Sequence, residues 1–128
     1  MLDPSQIDAN REYARGDRNL VAVYLFGSVA RGAARRGSDV DLAVLVRDPI
    51  EGLRRIRMET ELSNAIGRDV DLVVFGSASP LLKHQILSAR SLLYEGDPRE
   101  RVAQETAGRY EYLDTRFLHR EVRGLTHG

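Results

Sequence analysis

Four aspartates fall in two copies of one pattern, Asp39-Val40-Asp41-Leu42 and Asp69-Val70-Asp71-Leu72, each running on into an apolar stretch. In an extended strand, residues two apart point to the same face about 7 Å apart, so each pattern aims two carboxylates at one spot. Like charges ~4 Å apart at an effective dielectric near 20 repel by about 4 kcal/mol, and a strand otherwise built of Val, Leu and Ala has no structural reason to accept that. A divalent cation removes the penalty. With oxygen donors, no cysteine and no paired histidine, the donor set points to Mg²⁺ or Mn²⁺ rather than zinc.

Upstream, Leu25-Phe26-Gly27-Ser28 ends an apolar run, and ten residues separate Ser28 from Asp39. Where a strand turns into a helix, backbone N–H groups and a serine hydroxyl face outward as an anion site, and glycine permits close approach. Such a site suits a triphosphate. Arg31, Arg35 and Arg36 lie in the same acid-free stretch. Arg31 reads equally as a phosphate ligand or as half of a surface ion pair, and Arg35 and Arg36 as loop decoration.

Positioning these groups takes a particular set of elements. Residues 5–16 read as a helix with Ser5 as N-cap and Gly16 as stop, and residues 19–27 as a buried strand. One or two helical turns fit 28–34, and a second strand fits 39–46. Residues 50–66 carry Ile50, Leu53, Ile56 and Thr60 on one helical face and Met58, Leu62, Ala65 and Ile66 on nearly the opposite one, which predicts a helix covered on both sides. Residues 68–75 form a third strand. Ser79-Pro80 caps another helix, with Lys83 and His84 on its polar face. Residues 91–96 make a short edge strand, and the stripe Val102, Thr106, Tyr110, Leu113, Phe117 predicts a C-terminal helix packed on the sheet, its outer end around Tyr112, Phe117 and Leu118 open to a partner helix. The order predicts an α/β layer fold. Gly27-Ser28 and Asp39/Asp41 meet only if the first two strands are antiparallel, and the acids of the third strand join them only if strands two and three are parallel. A three-carboxylate site results, the protein half of two-metal phosphoryl or nucleotidyl transfer, in which one ion activates an attacking oxygen and the other steadies the leaving pyrophosphate.

These residues, Leu25-Phe26-Gly27-Ser28, the ten-residue spacer, Asp39-Val40-Asp41 and the later Asp71, resemble the minimal nucleotidyltransferase (MNT) group of the DNA polymerase β-like nucleotidyltransferases. The similarity extends to Ser79-Pro80-Leu81-Leu82 and Leu92-Leu93-Tyr94. It implies the polymerase β palm-like fold, a mixed sheet of about four strands with flanking helices and a C-terminal helix. It further implies that Gly27 and Ser28 bind nucleotide phosphates and that Asp39, Asp41 and Asp71 hold two Mg²⁺; Asp69 competes for the third place, and the family pattern favours Asp71, one step deeper in the strand. Members of the group act as antitoxins that transfer AMP from ATP to a tyrosine hydroxyl of a HEPN ribonuclease toxin. The expectation is therefore a protein adenylyltransferase bound to such a toxin. A non-catalytic antitoxin that blocks by binding is the alternative, and a small-molecule nucleotidyltransferase is disfavoured because nothing remains to grip an acceptor.

Composition agrees with that reading. The 128 residues fit one domain spanning 1–128. Nineteen basic residues balance nineteen acidic ones, so no basic field for duplex nucleic acid is expected. Absence of cysteine fits a reducing cytoplasm, and neither a membrane span nor a leader is legible. Gly76-Ser77 mimics the phosphate-binding pair without a following Asp-x-Asp, and Arg120 with His127 mimics a HEPN ribonuclease spacing without the helices to support it; both read as coincidence.

Overall fold

The computed structural model describes residues 2–27 and 39–127, with side chains described as far as Asp114. The helical turns expected at 28–34 and the side chains of Phe117, Leu118, Arg120 and His127 lie outside the described residues. Helix α1 (Pro4–Arg15) leads into β1 (Leu20–Phe26) and β2 (Val40–Val46), followed by α2 (Leu53–Ile66) and β3 (Val70–Val74). A 3-10 turn (Phe75–Ser77), α3 (Pro80–Ala89), β4 (Ser91–Glu95) and α4 (Pro98–His127) complete the described elements.

The β-branched runs make one mixed sheet in the order β3-β2-β1-β4. Strand β1 is antiparallel to both β2 and β4, whereas β2 and β3 are parallel, joined through α2. One face buries Val23, Leu25, Val40, Leu42 and Val44 with Met58, Leu62 and Ile66 of α2 and Ala14 of α1. The other buries Ala22, Tyr24, Ala43 and Leu45 against Phe75 and Ile86. Ser79 caps α3 by accepting from the Leu82 N–H at 3.1 Å, a contact worth about 1 kcal/mol.

Several local expectations are corrected. The cap of α1 is Asp3, not Ser5: its carboxylate accepts from the Gln6 N–H while Gln6 reaches back to the Asp3 N–H, with Pro4 opening the helix. Helix α2 is covered on one side only, and Leu53 and Ile56 are exposed. The apolar stripe of α4 does not pack on the sheet. Val102, Tyr110 and Leu113 are each more than half exposed, while Glu105 and Gly108 turn inward. Glu105 is 3 % exposed and accepts from the Tyr24 hydroxyl, from Arg101 at 2.8 Å and from Arg90 at 3.1 Å. Arg101 also pairs with Glu95. A buried carboxylate ringed by guanidinium groups holds α4 down where an apolar contact was expected. Lys83 likewise leaves the polar face: it is buried, pairs with Glu111 at 2.7 Å and lies over the Phe75 ring, while exposed His84 stacks on Tyr112.

Candidate active site

The pairing of strands decides what meets what. Phe26 lies opposite Asp41 across the β1–β2 pair, and Asp41 lies beside Asp71 across the β2–β3 pair. Neighbouring strands are about 4.8 Å apart, so the end of β1 and two aspartates form one row across the sheet. Asp39 stands one residue before β2, at the same end. Asp41 is half-buried, whereas Asp39 and Asp71 are exposed.

Gly27 closes β1 with a left-handed backbone, φ +74°. A Cβ built there would stand 2.2 Å from Asp41 Oδ2, so the strand end approaches the carboxylate as closely as it does only because that position lacks a side chain.

Electrostatics bind the three acids into one group. Burial pushes the Asp41 carboxyl above the ordinary aspartate range, and the charges of Asp71 and then Asp39 push it further. No described cation offsets that pressure on Asp41. Asp69 is not among the charges that act on Asp41; its carbonyl is taken by the Val40 N–H at 2.8 Å. The carboxylates do not close into a ready cage: among the described residues no three His, Cys, Asp or Glu side chains are grouped tightly enough to hold an ion. Their fit to a divalent cation is one of chemistry and register: oxygen donors only, like charges in a row, and room left by a missing side chain.

The chain matches the family model of the polymerase β nucleotidyltransferases over residues 10–99. It belongs to the polymerase β nucleotidyltransferase family. Within that family it is 35% identical over 95 residues to the protein adenylyltransferase MntA of Shewanella oneidensis, covering 73% of this chain and 68% of that one. A solved toxin-antitoxin structure with AMP-PNP contains a chain that superposes with a TM-score of 0.79 at 25% identity, over 95% of this chain and 98% of that one. A chain of a solved structure of a tri-AMPylated Shewanella oneidensis HEPN toxin in complex with an MNT antitoxin shares the fold, with a TM-score of 0.73 at 23% identity over 96% of this chain and 97% of that one. The mixed four-stranded sheet anticipated from the motif is therefore the nucleotidyltransferase sheet.

Of the residues singled out from sequence, Gly27, Asp39, Asp41 and Asp71 come together at one end of this nucleotidyltransferase sheet. Ser28 and Arg31, like Arg35 and Arg36, lie outside the described residues. Gly76 and Ser77 form the turn before α3 and take no part. Sequence reading missed three side chains beside the site, Arg55, Glu59 and Ser63 of α2, which hydrogen-bond to β3. Their spacing of four was visible, but polar pairs at that spacing are ordinary on helix surfaces.

Proposed function

We propose that this chain is a protein adenylyltransferase that serves as an antitoxin, moving AMP from ATP to a tyrosine hydroxyl of a HEPN ribonuclease partner. The observation that carries the reading is the row formed by Gly27, Asp41 and Asp71, with Asp39 beside it, in a chain 35% identical to a protein adenylyltransferase. In the reaction the acceptor oxygen bonds to the α-phosphorus of ATP, the bond from that phosphorus to the β-phosphate oxygen breaks, and pyrophosphate leaves while the hydroxyl proton passes to solvent.

Asp39, Asp41 and Asp71 would hold two Mg²⁺ or Mn²⁺ ions, which when bound supply the positive charge that steadies the phosphates and lowers the acceptor hydroxyl's pKa. The protein's own contribution is placement. Asp41 sits near the start of the central strand β2, held in register between Phe26 of β1 and Asp71 of β3. Gly27 keeps the phosphate approach open beside it. Ser28 and Arg31 would contact the phosphates from the segment that follows. A partner protein brings the acceptor, and ATP as donor with no cysteine in the chain fits a cytoplasmic setting. No helix among the described residues is long and apolar enough to cross a membrane.

Blocking without transfer is a second reading, favoured by the outward-facing Val102, Tyr110 and Leu113 of α4. One experiment separates the two. The purified protein is incubated with a HEPN partner, labelled ATP and Mg²⁺, beside an Asp39→Ala/Asp41→Ala variant. We expect labelling to drop by about three orders of magnitude, the equivalent of losing roughly 4 kcal/mol of charge stabilisation. Equal labelling by both proteins would overturn transfer, and a double variant that still protects cells from the toxin would favour blocking.

A further inference from the structure

Asp71 is exposed and sits on an edge strand, the least constrained place in the sheet for a residue that must stand in register with Asp41. On its inner side that register is held by the parallel pairing of β3 with β2. Along a strand, the backbone groups of alternate residues point to opposite edges. The Asp69 carbonyl accepts from Val40, which turns the odd-numbered residues of β3 toward β2 and leaves Val70 and Leu72 facing outward, where no strand follows.

Those outward groups are nonetheless taken. Ser63 Oγ accepts from the Val70 N–H at 3.0 Å and donates to the Glu59 carbonyl at 2.8 Å, which fixes its direction. The Glu59 carboxylate accepts from the Leu72 N–H at 2.8 Å. Arg55 donates at 3.3 Å both to the Leu72 carbonyl and to Glu59. One helix thus stands in for a fifth strand, and it does so at the residues on either side of Asp71. Charge-assisted hydrogen bonds are the strong ones, and here they fall on the N–H and the carbonyl of Leu72, the residue that follows the acid.

We propose that Arg55, Glu59 and Ser63 are positioning residues that brace β3 from its outer edge and so set where the Asp71 carboxylate stands for the cation. The inference rests on the nucleotidyltransferase reading of the site and goes beyond it by assigning a task to α2. Groups that orient a metal ligand from behind typically matter by about 10–100-fold in metal affinity or activity.

The test compares Glu59→Ala, Glu59→Gln and Ser63→Ala, with Ile56→Ala on the exposed side of the same helix as control. Two readouts are taken besides turnover: Mn²⁺ binding in the presence of a non-hydrolysable ATP analogue, followed by electron paramagnetic resonance, and amide hydrogen exchange at Val70 and Leu72. For Glu59→Ala we expect faster exchange at Leu72, Mn²⁺ affinity lower by about tenfold, and a matching fall in kcat with KM for ATP little changed. Glu59→Gln keeps an acceptor for Leu72 and should recover most of the loss; Ile56→Ala should match the parent. Faster exchange at Leu72 with unchanged Mn²⁺ affinity and kcat would overturn the proposal, as would a glutamine variant as impaired as the alanine one. If Glu59→Ala does not fold, Ser63→Ala decides: weaker Mn²⁺ binding with faster exchange at Val70 supports the brace, and unchanged binding overturns it. Failure of the underlying reading looks different, because Asp71→Asn would then leave Mn²⁺ binding intact.

Discussion

Two carboxylates on the same face of the sheet live in opposite surroundings. Glu105 is more deeply buried than Asp41, and burial alone would raise its pKa; hydrogen bonds from Tyr24 and Arg101 and the charges of Arg90 and Arg101 outweigh that, and the carboxyl ends below the ordinary glutamate range. Asp41 is pushed the other way by burial and by two further acids. Where this chain needs a carboxylate for structure it surrounds it with arginine. Among the described residues no cation answers the row of Asp39, Asp41 and Asp71, and in the proposed function a divalent ion takes that place. The difference separates an ionic cluster neutralised by its own neighbours from one that is not, and it does so without reference to any motif.

The comparison breaks most readily at Glu105. Replacing it with alanine strands Arg90, Arg101 and the Tyr24 hydroxyl, and should cost about 3 kcal/mol, read as a lower urea midpoint. A loss under about 1 kcal/mol would place the pair among ordinary surface contacts instead. Next comes Gly27→Ala. A left-handed alanine costs roughly 1–2 kcal/mol by itself, and its Cβ would collide with the Asp41 carboxylate, so a modest fall in melting temperature should accompany a disproportionate loss of transfer. Unimpaired transfer by that variant would mean that the close approach to Asp41 is not used.

The smallest effect, and the sharpest, concerns pH in metal-free protein. The Glu105 contribution to stability is complete above the unfolded glutamate value near 4.5 and fades as pH falls through its lowered folded value. For Asp41 the sign reverses. Its folded carboxyl binds protons more tightly than the unfolded one, so its contribution is complete below about 3.8 and is lost as pH rises through the raised folded value. Thermal unfolding in chelator should therefore show Asp41→Asn flattening the decline on the alkaline side of that window, while Mg²⁺ stabilises the parent and not the variant. An identical pH profile for the two proteins would remove Asp41 from the strained group.

How much of this was legible depended on which force wrote the signal. Strands β1, β2 and β3 and the parallel crossover were readable because uninterrupted Val and Leu runs too short for helices leave few alternatives, and Asp-x-Asp inside such a run has little structural excuse. Helix α4 was readable as a helix but not as to its face. Apolar periodicity assumes that the buried side is the greasy one, and here the buried side carries Arg101, Gln104, Glu105 and Gly108. The inward turn of Lys83 was hidden for the same reason: its partner Glu111 is 28 residues away, and no local pattern announces a buried ion pair. Pro4 did announce the true cap of α1, since proline favours the first helical position and so points to Asp3.

The side chains of α2 along β3 close off one rim of the sheet, and Arg11 of α1 reaches the Leu93 carbonyl of β4 at the other. An extended peptide that sought to join the sheet beside Asp71 would find its hydrogen-bonding partners already taken. The rim beside Asp71 is thereby closed to strand addition, and whatever approaches the carboxylates comes over the end of the sheet rather than along that edge.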